Sequence, residues 1–369
     1  MKKTYILFVS PILVVGGTER VLINIMNSLP REEYKVELVL FDRSGRFTKN
    51  LKSDIVIYDL NIPSITKGMP SLLQKIYQLK PDIVFIGMGS LNVSVAPFIP
   101  IFRYLLPSTA WFARQSSIAS INNQFEKSPR VFNWLYRIFY KNYNRVISQS
   151  NYMQNDLIDN YSMPRDKSVV INNPIDIDKI TILSEERSNF SFDREKINII
   201  SVGQLRPEKQ QHLMLKALAK LDKEYILIFL GDGVEQDSLE ALALELNIQD
   251  RVYFLGYQSN PYPYMREANL LLLSSKHEGF PNVVLEANLC GTPVVSFESP
   301  GGVVEIIEDG INGFLVSNQD VGSLSNGIEM VVEHQFDSNS IKEMIIQRYS
   351  MSLIIDKYQK ILKEGRNYE

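Results

Sequence analysis

Ile197-Asn198-Ile199-Ile200-Ser201-Val202 is an apolar, β-branched run, and Gly203-Gln204-Leu205-Arg206-Pro207-Glu208-Lys209 follows it directly. A stretch of helical length (210–221) and a second run, Tyr225-Ile226-Leu227-Ile228-Phe229-Leu230, come next. Strand, turn, helix, strand is the βαβ unit of a parallel sheet. Downstream, strands are expected at 251–255, 269–273, 293–297 and 313–316, with helices at 237–246, 282–289 and 351–363. Upstream the same alternation occupies the first half of the chain. Its strands are expected at 5–10, 36–41, 54–60, 82–86, 109–112, 145–150 and 168–171, and its helices include 18–29 and 70–79. Pro174 ends that series, and 176–196 is polar and strand-poor, so the crossing between domains is expected there. The fold class is therefore α/β, with two doubly wound domains. The expected boundaries are 1–178, 179–348 and a C-terminal helix, 349–369, packing back on the first domain. Ligands of such sheets bind at the carboxyl ends of the strands. Two sheets opposed would place the site in the cleft between them.

Composition agrees. Single cores stop growing near ~250–300 residues, and this chain has 369. At 45% hydrophobic and 22% charged residues it is ordinary globular protein, which excludes disordered, collagenous and low-complexity classes. One cysteine, Cys290, excludes a disulfide framework. Three histidines (His212, His277, His334) leave little for a metal site, so neither metal nor cofactor is expected. Residues 1–180 hold 22 Lys+Arg against 14 Asp+Glu, a net +8, and 181–369 hold 17 against 28, a net −11. Such a split suits two domains with different partners, or a surface charge that drifts. Met1-Lys2-Lys3 before an apolar run looks like a leader peptide, but Pro11 interrupts the run and a first strand is the better reading. No stretch reaches the ~18–20 apolar residues of a membrane span. The partners expected are small molecules and possible anionic lipid, not nucleic acid.

Several loops can carry chemistry. Gly16-Gly17, between the first strand and first helix, suits either a tight turn or close backbone approach to a ligand. Arg206 and Lys209 sit where a strand ends. There they can neutralise a diphosphate, or simply pair with Glu208 in solvent. In Ser274-Ser275-Lys276-His277-Glu278-Gly279-Phe280-Pro281-Asn282-Val283-Val284-Leu285-Glu286, a strand gives way to a helix at Pro281-Asn282. Glu278 precedes that helix and Glu286 lies one turn in, so both can accept hydrogen bonds from sugar hydroxyls, or cap and decorate a helix. Gly231-Asp232-Gly233 and Gly301-Gly302 are turn residues. Arg130, Arg137, Lys141 and Arg145 recur at helical spacing in 130–145, a segment without acids. They are expected to share one helix stripe, either solvated or resting on anionic lipid.

Together these residues resemble glycosyltransferase family 4, the retaining transferases with the GT-B fold. Gly16-Gly17-Thr18-Glu19-Arg20 resembles its N-terminal Gly-Gly loop, and Arg206-Pro207-Glu208-Lys209 its diphosphate-binding stretch. Ser148-Gln149-Ser150 with Asn173-Pro174 resembles its interdomain segment, and Glu278 through Glu286 its two-glutamate motif. The resemblance implies that Arg206 and Lys209 hold the diphosphate of a nucleotide sugar, Glu278 the transferred sugar and Glu286 the ribose. It further implies donor contacts from Gly16, Gly17, Gly203, Gly231, Tyr257, Gly279, Phe280, Pro281, Asn282 and Val283, and it implies no bound metal. Two departures stand out. The position after Gly203 is Gln204 where the family often has Arg, and Ala113-Arg114-Gln115-Ser116-Ser117 lacks the family's sugar-facing His. Arg114 is the expected replacement among the catalytic residues.

The reading is a retaining transferase that moves a hexose or N-acetylhexosamine from a UDP-sugar to a hydroxyl of a growing bacterial surface glycan. The acceptor is expected on a polyprenyl diphosphate lipid, with the protein peripheral at the cytoplasmic membrane face. The rivals are a sugar-nucleotide epimerase or phosphorylase of the same fold, and a non-catalytic partner subunit. Turnover of nucleotide sugar by the isolated chain separates them.

Overall fold

The computed structural model describes residues 2–14 and 16–365. It divides into two units, Met1–Pro174 with Met351–Glu369, and Ile175–Ser350. The first holds strands β1 (Thr4–Ser10), β2 (Tyr34–Leu40), β3 (Val56–Asp59), β4 (Ile83–Ile86), β5 (Ala110–Arg114), β6 (Arg145–Ser148) and β7 (Ser168–Val170). They form one sheet in the order β3-β2-β1-β4-β5-β6-β7, and every pairing is parallel. The strands are apolar without alternation because helices cover both faces. Leu7, Val9, Val84, Ile86 and Trp111 feed one core. Ile6, Phe8, Ile83, Phe85 and Phe112 feed the other.

The helix Met351–Gly365 belongs to this first unit. Its Ile354, Ile355, Tyr358, Ile361 and Leu362 complete the second core. Full burial of such a side chain contributes about 1.5–3 kcal/mol, so the amphipathic face alone explains the docking.

The second unit holds β8 (Ile197–Val202), β9 (Tyr225–Leu230), β10 (Val252–Phe254), β11 (Leu270–Leu273), β12 (Val294–Phe297) and β13 (Gly313–Val316), in the order β10-β9-β8-β11-β12-β13. This sheet too is parallel throughout. Ile200, Ile228 and Leu271 pack on one side, and Ile199, Leu227, Phe229 and Leu272 on the other.

Three expectations need correction. The division falls after Pro174, not within 176–196. Residues 177–184 form a helix, Ile177–Ser184, capped by Asp176 and packed through Ile180 into the second unit. The helix expected at 70–79 runs Ile65–Leu79 with Pro70 inside it, because Ser64 caps an earlier start. Residues 130–145 are not one helix. A helix spans Pro129–Phe139, a 3₁₀ turn spans Tyr140–Asn142, and Arg145 opens β6 with 5% exposure. The buried Tyr140 and Tyr143 hydroxyls donate to Gln115 Oε1 and to the Asn92 carbonyl, both at 2.7 Å. They turn the chain inward, so Arg145 cannot share a stripe with Arg130 and Arg137.

Candidate active site

In the second sheet the chain builds outward from β8 through β9 to β10, then returns to the other side of β8 with β11. Loops leaving the carboxyl ends of β8 and β11 therefore sit side by side at the switch point, where open α/β sheets form a crevice. These are the loops 203–210 and 274–281.

Backbone and hydroxyl bonds lock them together. Lys276 N–H donates to the Glu208 carbonyl at 2.9 Å. Ser274 Oγ donates to the carbonyls of Lys209 (2.7 Å) and Gln210 (3.0 Å). At the centre, Lys209 Nζ lies 2.5 Å from Glu278 Oε1, and Ser275 Oγ donates to that same oxygen at 2.6 Å. The side chains of Lys209 and Glu278 are 30% and 14% exposed. A cation and a carboxylate thus share one small polar patch open to solvent. The first can meet an anionic phosphate, and the second can accept from a hydroxyl.

Glu278 is held from behind. Its N–H donates to the Pro300 carbonyl at 3.0 Å, and its carbonyl accepts from Gly302 N–H at 3.1 Å. Gly301 has φ +128°, and a Cβ there would stand 1.5 Å from the Glu278 oxygen. Only glycine permits that approach.

Phe280 and Pro281 are buried, and the Phe280 ring meets Tyr349 edge-on at 5.7 Å. This anchors the helix Asn282–Leu289 at its first residue. Glu286 is half-buried within that helix, as are Asn282 and Val283 at its start, and Gly279 in the loop before it. Burial holds the His277 imidazole below its usual range, against the opposing pull of Glu278.

The remaining expected residues border the same loops. Gly203 (φ +153°) and Gly231 (φ +142°) touch backbone to backbone, and a Cβ on Gly231 would meet the Gly203 oxygen at 2.0 Å. Leu205 N–H donates to the Asp232 carbonyl at 2.9 Å, and Gly231 N–H to the Gly256 carbonyl at 2.8 Å. Tyr257, next to Gly256, is exposed. Arg206 is exposed too, 3.8 Å from Glu208, a surface pairing that leaves its guanidinium available.

In the first unit, the switch point lies between β1 and β4. Gly16 caps the helix Gly17–Ser28 there. Its φ of −165° is extended backbone that any residue adopts. The need is space: a Cβ would meet Glu19 Oε2 at 2.4 Å. Glu19 is buried, and burial pushes its carboxyl up, opposed by a backbone hydrogen bond and the Arg114 charge.

Arg114 is wholly buried at the end of β5. Its Nη2 donates to Asn173 Oδ1 at 2.6 Å, and Asn173 Nδ2 donates to Gln149 Oε1 at 3.1 Å. With no exposed atom, this side chain does not touch a sugar here. The structure thus places the expected catalytic Arg114 inside the first unit, bonded to Asn173. Sequence reasoning also passed over Ser274, Ser275 and Glu19. The signal for the serines was present, since two hydroxyls stand directly at a strand's carboxyl end. Among the described residues, no three His, Cys, Asp or Glu side chains are grouped to hold a metal ion.

Two family patterns match the chain, "Glycosyltransferase Family 4" over residues 15–179 and "Glycosyl transferases group 1" over residues 184–348. A Campylobacter jejuni protein named N-acetylgalactosamine-N,N'-diacetylbacillosaminyl-diphospho-undecaprenol 4-alpha-N-acetylgalactosaminyltransferase is 31% identical over 59% of this chain and 58% of its own length. The Rhizobium meliloti lipopolysaccharide core biosynthesis glycosyltransferase LpsE is 31% identical over 49% of this chain and 54% of its own. The chain thus matches little more than half the length of these two relatives. The crystal structure of Anabaena Alr3699/HepE in complex with UDP has a TM-score of 0.80 at 23% identity, over 98% of this chain and 100% of that one. The lipopolysaccharide outer core galactosyltransferase WaaB has a TM-score of 0.77 at 20% identity, over 98% of this chain and 99% of that one. With its two parallel α/β sheets, a fold shared nearly end to end with these two structures, and two adjoining family patterns, the chain belongs to the group 1 glycosyltransferases and has the GT-B fold class expected from its sequence.

Proposed function

We propose that the protein is a retaining glycosyltransferase. It transfers a hexose or N-acetylhexosamine from a UDP-sugar to a hydroxyl of a growing surface glycan carried on a polyprenyl diphosphate. The observation that carries this reading is the Lys209–Glu278 patch at the switch point of the second sheet. Lys209 and Arg206 bear on the diphosphate, which needs charge stabilisation as it leaves more than it needs a strong nucleophile on the protein. Glu278 accepts from hydroxyls of the transferred sugar, and Glu286 from the ribose. Backbone amides around Gly279, Phe280, Asn282 and Val283 serve the sugar and phosphate. The UDP-bound neighbour and the diphospho-undecaprenol in a relative's name support the choice of donor and acceptor.

The mechanism proposed uses no metal, the leaving charge being met by Arg206 and Lys209. Transfer should persist in excess EDTA, and loss that Mg²⁺ or Mn²⁺ restores would refute this part.

A thermal-shift panel of nucleotide sugars tests the donor. A ligand at a hundred times its Kd stabilises by about 2.7 kcal/mol. UDP and one UDP-sugar should raise Tm together, and no response to any nucleotide sugar would overturn the proposal.

A further inference from the structure

We propose that the first unit docks on an anionic bilayer through a face built by the helices Ile99–Leu105 and Pro129–Phe139. This deepens the reading of a lipid-linked acceptor, but its test needs no acceptor. Large apolar side chains stand out on both helices. Ile101, Tyr104 and Leu105 are exposed on the first, with Tyr104 at 88%. Val131, Trp134 and Ile138 are exposed on the second, with Trp134 at 52%. At about 100° per residue those three fall within an arc of about 60°. Phe125, 77% exposed, precedes the second helix.

The stripe is not left over from folding. The inward side of the Pro129–Phe139 helix is filled by Tyr136, and by Phe132, Leu135 and Phe139 against the core. The helices are tied to each other, since Arg103 Nη2 donates to the Asn142 carbonyl at 2.5 Å, just past the second helix. Apolar side chains scattered singly on a surface need no explanation, but a grouped set marks an interface.

Charge selects the occupant. Exposed cations border the stripe: Arg103, Lys127, Arg130, Arg137 and Lys141. Glu126 is the one acid in 101–141. Arg130 and Arg137 run along the same flank of the helix, beside Trp134. A second copy pairing through this face by a two-fold axis would set cations against cations. Anionic headgroups would instead neutralise the rim while Trp134 and Tyr104 enter the headgroup layer, the level these rings prefer.

The test is flotation of the full chain with vesicles of phosphatidylcholine alone or mixed with phosphatidylglycerol. The mixed vesicles should retain the protein, and retention should fall between 0.1 M and 1 M salt, as the Debye length drops from about 10 Å to 3 Å. Each cation removed should weaken binding about fivefold, so Arg130→Glu with Arg137→Glu should weaken it well beyond tenfold. Trp111 is fully buried, so a blue shift on vesicle binding, and quenching by brominated lipid, report Trp134. Trp134→Ser with Ile138→Ser should weaken binding in both vesicle types. UDP calorimetry on each variant, unchanged from the parent, shows that the fold and donor site are intact. Equal retention by both vesicle types, an unshifted emission spectrum, or a dimer that Trp134→Ser dissolves would each overturn the proposal. Absent vesicle binding with intact UDP binding defeats this inference alone, and the converse defeats the donor assignment alone.

Discussion

Glu278→Gln should make the protein bind UDP more tightly while slowing transfer. Lys209 Nζ stands 2.5 Å from Glu278 Oε1, so a diphosphate must share or take over an ammonium that already has a carboxylate. At that separation two unit charges attract by about 1.7 kcal/mol at the dielectric constant of water. Ordering two side chains offsets part of this, and exposed pairs are worth about 0.2–1 kcal/mol. With exposures of 30% and 14% the pair belongs at the upper end. Removing the charge should therefore free about 1 kcal/mol for phosphate, about a fivefold lower Kd for UDP. The Ser275 hydroxyl, which donates to the same oxygen at 2.6 Å, keeps a partner in the glutamine carbonyl. Turnover should fall, because in the proposed mechanism Glu278 also serves the sugar as charge develops. Calorimetry with UDP on the parent, Glu278→Gln, Lys209→Ala and the double variant closes a cycle. Lys209→Ala should cost more UDP affinity in the glutamine background than in the parent. Equal or weaker UDP binding by Glu278→Gln would refute the competition and leave the pair as scaffolding.

Glu286→Ala should weaken UDP and UDP-sugar alike, by about ten- to a hundredfold for a lost charge-assisted bond of about 1.5–3 kcal/mol; undiminished UDP binding in calorimetry would make Glu286 structural. Lys209→Ala should lower turnover by removing a cation from the leaving diphosphate, and initial rates equal to the parent's would exclude it from that role. Gly301→Ala places a Cβ 1.5 Å from the Glu278 oxygen at a φ of +128°, so it should lower stability by at least about 1–3 kcal/mol and displace Glu278; an unchanged denaturation midpoint would show that the loop yields freely.

The strands of the sheets were legible because parallel strands buried on both faces are unbroken apolar runs. β8, β9 and β13 fall on the residues expected. The helices Val321–Glu333 and Ser338–Tyr349 were not foreseen. Their caps, Asp320 and Asp337, accept from the backbone N–H groups that follow, but Gly322 and Gly327 in one, and Asp337-Ser338-Asn339-Ser340 in the other, read equally as turns. Gly327 is there for packing, since a Cβ would meet Val316 Cγ1 at 2.6 Å. The site was legible as separate motifs only. Lys209 and Glu278 are 69 residues apart, and spacing cannot show that they touch. Sheet order brings them together, because the chain returns to the far side of β8. The basic stripe misled for a related reason. Its period was helical, but Tyr140 and Tyr143 found partners in the core and ended the helix before Arg145.

Arg114 is wholly buried in this structure. It lies where a sugar-facing group was expected, yet it bonds Asn173, the residue before the chain leaves the first unit at Pro174. It also neighbours Tyr358, on the helix by which the chain returns, where its charge partly opposes the upward pull of burial on the phenol. One buried cation thus bonds the residue at one connection and acts through its charge on a phenol near the other. Glu19 is the acid that feels it, with a carboxyl raised by burial and lowered in part by Arg114. Arg114→Met keeps the volume and removes the charge, so the Glu19 pKa should climb further. The sign follows from linkage. A carboxyl whose folded pKa exceeds its unfolded value is penalised in the fold as pH rises through and above the unfolded value, at up to about 1.4 kcal/mol for each further tenfold loss of acidity. The stability gap between parent and Arg114→Met should therefore be wider at pH 7 than at pH 4, and Glu19→Gln in the same background should abolish that widening. Urea denaturation of the three proteins at both pH values measures it. A gap that does not change with pH would show that Arg114 acts through its bond to Asn173 and its packing, with its charge irrelevant to Glu19.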